Sequence, residues 1–199
     1  MEKPAAVDHD VHQLVRARWS PRAFDGSSIT EQELGSLIEA ARWAPSCFSD
    51  QPWRFVVAGR DEGEDFERIL SCLVENNRTW ARHAGLLAIG AVTETFAHND
   101  KPNRWAEHDL GLAMAQLVLQ ATSMGLHAHM MAGFDRDRAR EELGIPEGAH
   151  PHVALAVGRM GDAEELPEPL REREKAERSR RTADEIRFFG RWGRSARGS

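Results

Sequence analysis

Between Trp105 and Met124 the chain reads as one long helix that is apolar almost all the way round, with Leu110, Leu112, Ala113, Met114, Leu117, Val118 and Leu119 spread over its circumference. A helix of that kind has no wide polar face to turn to water. It needs either a deep core or a second subunit against it. Gly125 follows at the position where a left-handed residue commonly ends a helix. A chain of 199 residues can bury such an element within one domain, with at most an appended arm.

Shorter elements surround it. A first helix is expected over Asp10–Arg18, and Thr30-Glu31-Gln32-Glu33 reads as a capping box ahead of Leu34, Leu37, Ile38 and Ala41. Phe66, Ile69, Leu70 and Leu73 repeat the helical stripe, and a short helix is expected from Asp135 to Leu143. Four runs read as strands: Trp53–Ala58, Leu86–Val92, His127–Met131 and Val153–Val157. The second is a continuous apolar run, as in a strand buried on both faces. Strands and helices alternate without a strict βαβ rhythm, which favours an α+β fold.

Charge and cysteine usage exclude several function classes. Lys plus Arg total 26 against 32 for Asp plus Glu, a formal net charge of −6, so the chain is a poor generic nucleic-acid binder. Cys47 and Cys72 fit no zinc spacing. His9/His12 and His150/His152 are close pairs without a third ligand in register, so they read as surface histidines and no metal is expected. No apolar run approaches a membrane span, and the opening residues lack the apolar core of a signal peptide, so a cytoplasmic setting is expected.

The last forty residues differ in kind. Gly161–Arg181 is dense in Glu, Arg and Pro, and Ile186, Phe188, Phe189 and Trp192 form an apolar patch beyond it. This divides the chain into a core over 1–160 and an arm over 161–199. With so little apolar content the arm is expected to be exposed or to pack on another chain.

No dinucleotide fingerprint, P-loop or nucleophile elbow is present. Three polar clusters stand out instead. Arg18-Trp19-Ser20-Pro21-Arg22 sets two guanidinium forks and a hydroxyl at a helix-to-loop junction, groups that suit a phosphate dianion. Ala44 to Phe55 is a polar loop pinned between Pro45 and Pro52, able to present hydroxyls, amides and a carboxamide to a planar heterocycle. Arg178-Ser179-Arg180-Arg181 is a second basic group, inside the arm. Trp53 and Phe55 read as core strand residues, the Met130-Met131 pair as core packing or the lining of a substrate pocket, His108 as an interface or capping residue, and thiol chemistry at Cys47 as the minor reading beside a structural one.

These clusters, in this order, resemble the FMN-dependent nitroreductase family. The resemblance rests on Arg18, Ser20, Arg22 and Phe24, on Ala44 through Phe55, on Asp109-Leu110-Gly111, on Gly133-Phe134-Asp135 and on Ala156-Val157-Gly158. It implies a mostly antiparallel sheet flanked by helices, a homodimer with a C-terminal arm exchanged between subunits, and FMN at the subunit interface. Arg18, Trp19, Ser20 and Arg22 would hold the FMN phosphate, with Arg178 and Arg180 completing that grip from the arm. Pro45, Ser46 and Cys47 would come from the partner subunit, Ser49 and Gln51 would face the ribityl chain and the pyrimidine edge, and Asn76 would lie near the ring. Ala132 and Gly133 would offer amides to the reactive edge. The family's usual Asn is Ser49 here, a shorter donor. The resemblance further implies ping-pong electron transfer from NADH or NADPH to a nitroaromatic, quinone or activated alkene, with no side chain nominated as a catalytic acid. Dehalogenation, dehydrogenation, flavin fragmentation or flavin binding without turnover are the alternatives.

Overall fold

Four strands form one sheet in the order β1-β2-β4-β3: Trp53–Gly59, Leu86–Thr93, Ala149–Gly158 and His127–Met131, every neighbouring pair antiparallel. The computed structural model describes residues 2–195, so the last four residues of the expected arm lie outside the described residues. The strands stand where the alternation and apolar runs put them, with β4 starting four residues early at Ala149. Its extra segment contains Pro151 and meets β2 across a register shift between Gly90 and Ala91. A proline tolerates a strand at such an irregularity because its missing N–H is not needed there.

The described residues also form eight helices: α1 Gln13–Ala17, α2 Glu31–Arg42, α3 Gly63–Cys72, α4 Glu75–Ala81, α5 Ala106–Ser123, α6 Arg136–Glu142, α7 Glu168–Lys175 and α8 Ala183–Ile186. On one face, α2 and α5 pack Leu37, Ala41, Leu110, Met114 and Leu117 against Ala88, Val92 and Leu155. On the other, α3, α4 and α6 pack Phe66, Ile69, Trp80 and Ala139 against Leu87, Ile89 and Ala156. The capping box forms as read: Thr30 Oγ1 accepts from Glu33 N at 3.2 Å and Glu33 Oε2 accepts from Thr30 N at 2.9 Å. Gly125 ends α5 at φ +73°. The outward residues of α5 are less settled: Leu112 and Leu119 are only half-buried, and Gly111 and Ala115 are exposed. The α5 circumference therefore serves the core on one side and leaves apolar surface on the other.

Two expectations are corrected. The first helix begins only at Gln13, because His12 caps it by accepting from Leu14 N. The arm does not leave its own core at Gly161. Ala163 and Leu166 are buried, Leu170 packs on the core, and Glu174 is 2% exposed. Leu166, Leu170 and Glu174 recur every fourth residue, and that thin stripe suffices to seat α7 on its own chain. Beyond it, Ile186 and Trp192 are exposed, the latter at 90%. No helix of the described residues is long and apolar enough to cross a membrane.

Candidate active site

The chain entering the core after α1 runs along the free edge of β3. His129 Nδ1 donates to the Pro21 carbonyl at 2.8 Å, and the buried Trp19 ring meets His127 edge-on at 6.1 Å. These contacts lay Arg18, Trp19, Ser20 and Arg22 beside that strand. Burial drives the His129 pKa down to about 4, with the nearby Arg22 charge acting in the same direction, so the ring is neutral. His129 also lies against Trp80, the ring centroids 4.6 Å apart.

The arm brings its arginines back to this edge. Arg178 Nη2 donates to the Arg18 carbonyl at 2.9 Å and its Nη1 donates to the Lys3 carbonyl at 2.6 Å. Arg18 Nη1 in turn donates to Ser20 Oγ at 3.3 Å. Carbonyls satisfy guanidinium donors but do not neutralise them. Burial, followed by the Arg178 and Arg180 charges, lowers the Arg18 pKa, and burial with Arg180 does the same at Arg178. Three mutually repelling cations with a hydroxyl beside them favour a multiply charged anion.

Arg22 is fixed by a residue that sequence reasoning missed. Glu174 Oε1 accepts from the backbone N–H groups of Arg22 and Ala23 at 2.8 and 3.2 Å, and Arg22 Nη1 stands 3.8 Å from Glu174 Oε2. In a run rich in Glu and Arg, only the spacing from Leu166 and Leu170 marks Glu174 as different.

Ala132 and Gly133 leave the end of β3 on the same edge. Gly133 O accepts from Val74 N at 3.1 Å and from Asn77 Nδ2 at 2.9 Å. A Cβ at Gly133 would lie 2.7 Å from Asn77 Nδ2 and 3.0 Å from Val74 Cγ2, so glycine is required by this close approach. Asn76, singled out from the sequence, is exposed. α4 begins at Glu75, and its helical turn carries the neighbouring Asn77 to this contact.

The proline-bounded loop lies elsewhere, leading into β1. Buried Asp109 on α5 accepts from Cys47 N at 2.9 Å, Ser46 Oγ accepts from Gln51 N at 3.0 Å, and Asp50 Oδ1 accepts from Ala97 N at 2.9 Å. These anchors hold Phe48, Ser49 and Gln51 at φ 53°, 56° and 50°, left-handed conformations that cost non-glycine residues energy. Pro45 is exposed, Cys47 half-buried, and Phe48 is 78% exposed, with Phe96 and His98 at 5.7 and 5.4 Å between ring centroids. The loop thus presents its side chains away from its own core.

The two groups leave the sheet at opposite edges and toward opposite ends: Trp19 and Pro21 meet His127 and His129, which pair with Gly158 and Ala156 at the end of β4, whereas the loop enters β1 at Trp53, opposite Val92 and, through it, His150 at the start of β4. Of the first group only Trp19 lines a concavity, one of about 400 Å³ shared with Lys3 and His127, while Phe48, Ser49 and Asp50 of the loop line one of about 450 Å³ with Ala97 and His98. One chain therefore gathers Arg18, Ser20, Arg22, Arg178, Arg180, Ala132 and Gly133 at one edge, and Pro45 through Gln51 at the other.

Comparison with known proteins places this geometry. A model of the nitroreductase family matches residues 15–159. An uncharacterised 15.4 kDa protein of the ask 5′ region of Mycolicibacterium smegmatis is 34% identical over 146 residues, 70% of this chain and 97% of that one. The oxygen-insensitive NAD(P)H nitroreductase of Salmonella typhimurium is 24% identical over 193 residues, 75% of this chain and 88% of that one. A crystal structure described as an oxidoreductase containing FMN superposes with a TM-score of 0.88 at 36% identity, over 95% of this chain and 96% of that one.

Proposed function

This chain is an oxidoreductase of the nitroreductase family, and on that footing we propose that it binds FMN and passes electrons from NADH or NADPH to a small oxidised acceptor such as a nitroaromatic, quinone or activated alkene. The observation that carries the reading is the cation cluster of Arg18, Arg178 and Arg180, in which burial and then neighbouring guanidinium charge lower the pKa of Arg18 and Arg178 and the anchoring partners are uncharged oxygens. The terminal phosphate of FMN is a dianion of the kind such a cluster favours. Arg18, Ser20, Arg22, Arg178 and Arg180 would hold it, with Trp19 packed beneath. Bound there, FMN supplies the hydride and electron chemistry, while the protein binds, orients and excludes water.

The separation of the two groups supports a homodimer. Pro45, Ser46 and Cys47, with Ser49 and Gln51, are aimed outward from the far edge, where they can complete a partner's site. The half-buried Leu112 and Leu119 of α5 and the exposed Ile186 and Trp192 offer apolar surface for that contact. The arm over 161–199 would begin to engage the partner beyond Arg181, since Arg178 is still bound to its own chain. Ala132 and Gly133, fixed by Val74 and Asn77, would offer the backbone of the β3 exit to the ring edge. With the partner's loop over one side, a single access route remains, so donor and acceptor take turns and the kinetics are ping-pong. Both cysteines are free, which suits a reducing cytoplasm.

The purified protein should be yellow with an FMN-type spectrum, bleached anaerobically by NADH or NADPH, with parallel double-reciprocal lines when donor and acceptor are varied. Arg18→Gln should weaken FMN retention about 10- to 100-fold, the loss of one charge-assisted contact of about 1.5–3 kcal/mol. A protein that fails to take up added FMN, or a bound flavin that neither nicotinamide reduces, would overturn the proposal.

A further inference from the structure

His150 and His152 lie on β4 at the irregular part of its pairing with β2. Val153 stands opposite Gly90 and Pro151 opposite Ala91, so His152 is an extra residue with no partner in the ladder. Strict alternation back from Val153, which packs on the α5 side, would turn His152 to that same side's opposite face and place Pro151 toward α5. The bulge resets the phase. His150 pairs with Val92, a residue of the α5-side core, and His150 and His152 both turn toward the first turn of α5. There they meet Glu107. Three chemistry-bearing groups thus converge although 43 residues separate Glu107 from His150.

Their geometry is that of a coordination site. His150 Nε2 is 3.1 Å and His152 Nδ1 is 3.2 Å from Glu107 Oε1, and the three ligand atoms lie within 4.8 Å of one another. Ligands about 2.0–2.1 Å from a tetrahedral zinc stand roughly 3.3 Å apart, so little movement is needed. His152 Nδ1 is sealed from solvent and has no hydrogen-bond partner even at that distance from the carboxylate. A ring nitrogen aimed at a carboxylate without hydrogen-bond geometry is one whose lone pair a cation can use. Glu94 Oε1 lies 3.3 Å from His150 Nδ1, the outer carboxylate that commonly orients a metal-bound imidazole.

We propose that Glu107 Oε1, His150 Nε2 and His152 Nδ1 bind a divalent first-row transition-metal ion, zinc by preference, with a fourth position open. Two imidazoles and one carboxylate suit zinc and its neighbours and offer too few oxygens for calcium or magnesium. The ion ties β4 to the first turn of α5, two residues before the Asp109 that holds the central loop. This site is independent of the flavin reading, and Glu107 stands where the sequence showed no third ligand for the His150/His152 pair.

The test uses the full-length, flavin-loaded protein after chelator treatment, titrated with Zn²⁺ by calorimetry and with Co²⁺ by visible absorption. One ion per chain is expected, with cobalt d–d bands and no thiolate charge-transfer band. Glu107→Gln, which preserves shape, should weaken binding at least about 10-fold, His150→Ala and His152→Ala at least about 100-fold, and Glu94→Gln about 10-fold. The double variant His9→Ala/His12→Ala should bind like the parent. Unchanged affinity in Glu107→Gln and His152→Ala, a thiolate band, or no binding by the parent at micromolar zinc would each overturn the site.

Discussion

Glu174 Oε1 accepts the backbone N–H of Arg22 at 2.8 Å although 152 positions separate the two residues. Through this bond the arm sets the backbone of Arg22, one of the arginines proposed to hold the phosphate. Replacing Glu174 with Ala leaves the N–H groups of Arg22 and Ala23 without their acceptor and the Arg22 guanidinium without its nearby counter-charge, and should cost about 3 kcal/mol or more of stability. Glu174→Gln keeps one acceptor oxygen and should cost less. Urea midpoints, with FMN affinity measured on the folded fraction, check both.

The left-handed backbone at Ser49, φ 56°, bears on the departure from the family pattern. Asn visits this conformation more readily than Ser because its short amide can bond locally. Ser49→Asn should therefore raise stability by about 0.5–1 kcal/mol while changing flavin affinity modestly. A denaturant midpoint that falls would show that loop strain is not relieved there.

His129, with a pKa near 4 in the folded chain against about 6.5 unfolded, makes stability depend on acidity. Between those values the unfolded state binds the proton and the folded state does not. Stability is therefore full above about pH 6.5 and is lost as pH falls toward 4, by about 3 kcal/mol. His127, lowered mainly by burial, adds to the same trend. His129→Gln can still donate to the Pro21 carbonyl, and should flatten the decline in urea titrations across this window.

Truncation separates the roles of the arm. A chain ending at Arg181 keeps α7, Glu174, Arg178 and Arg180 but loses Ile186 and Trp192. It should stay folded and shift from dimer to monomer in sedimentation, with weaker FMN binding because the partner's loop is lost. A truncated dimer of unchanged affinity would place the subunit contact on α5 alone.

Much of the scaffold was legible because it follows from local rules. The capping box at Thr30 and Glu33, the all-apolar run of β2 and the glycine after α5 are decided by neighbours a few residues apart. Helix α4 was not, since ENNRTWA carries no apolar stripe and forms because Trp80 and Ala81 drop into the core. The motif order from Arg18 to Gly158 pointed to the family for the same local reason, as each motif is a short string. Which asparagine meets Gly133 was hidden, because one step along a helix turns a side chain by about 100°.

The sequence by itself therefore determined the four strands, the main helices and the two groups of residue types proposed to hold the phosphate and the ring. Tertiary structure alone decided that these groups stand on opposite edges of the sheet, that Glu174 is buried under Arg22, and that a single bulge turns His150 and His152 toward Glu107. Each of those depends on strand order, register or the burial of one residue among many of its kind. Such choices are made by packing between distant segments, and no local pattern carries them.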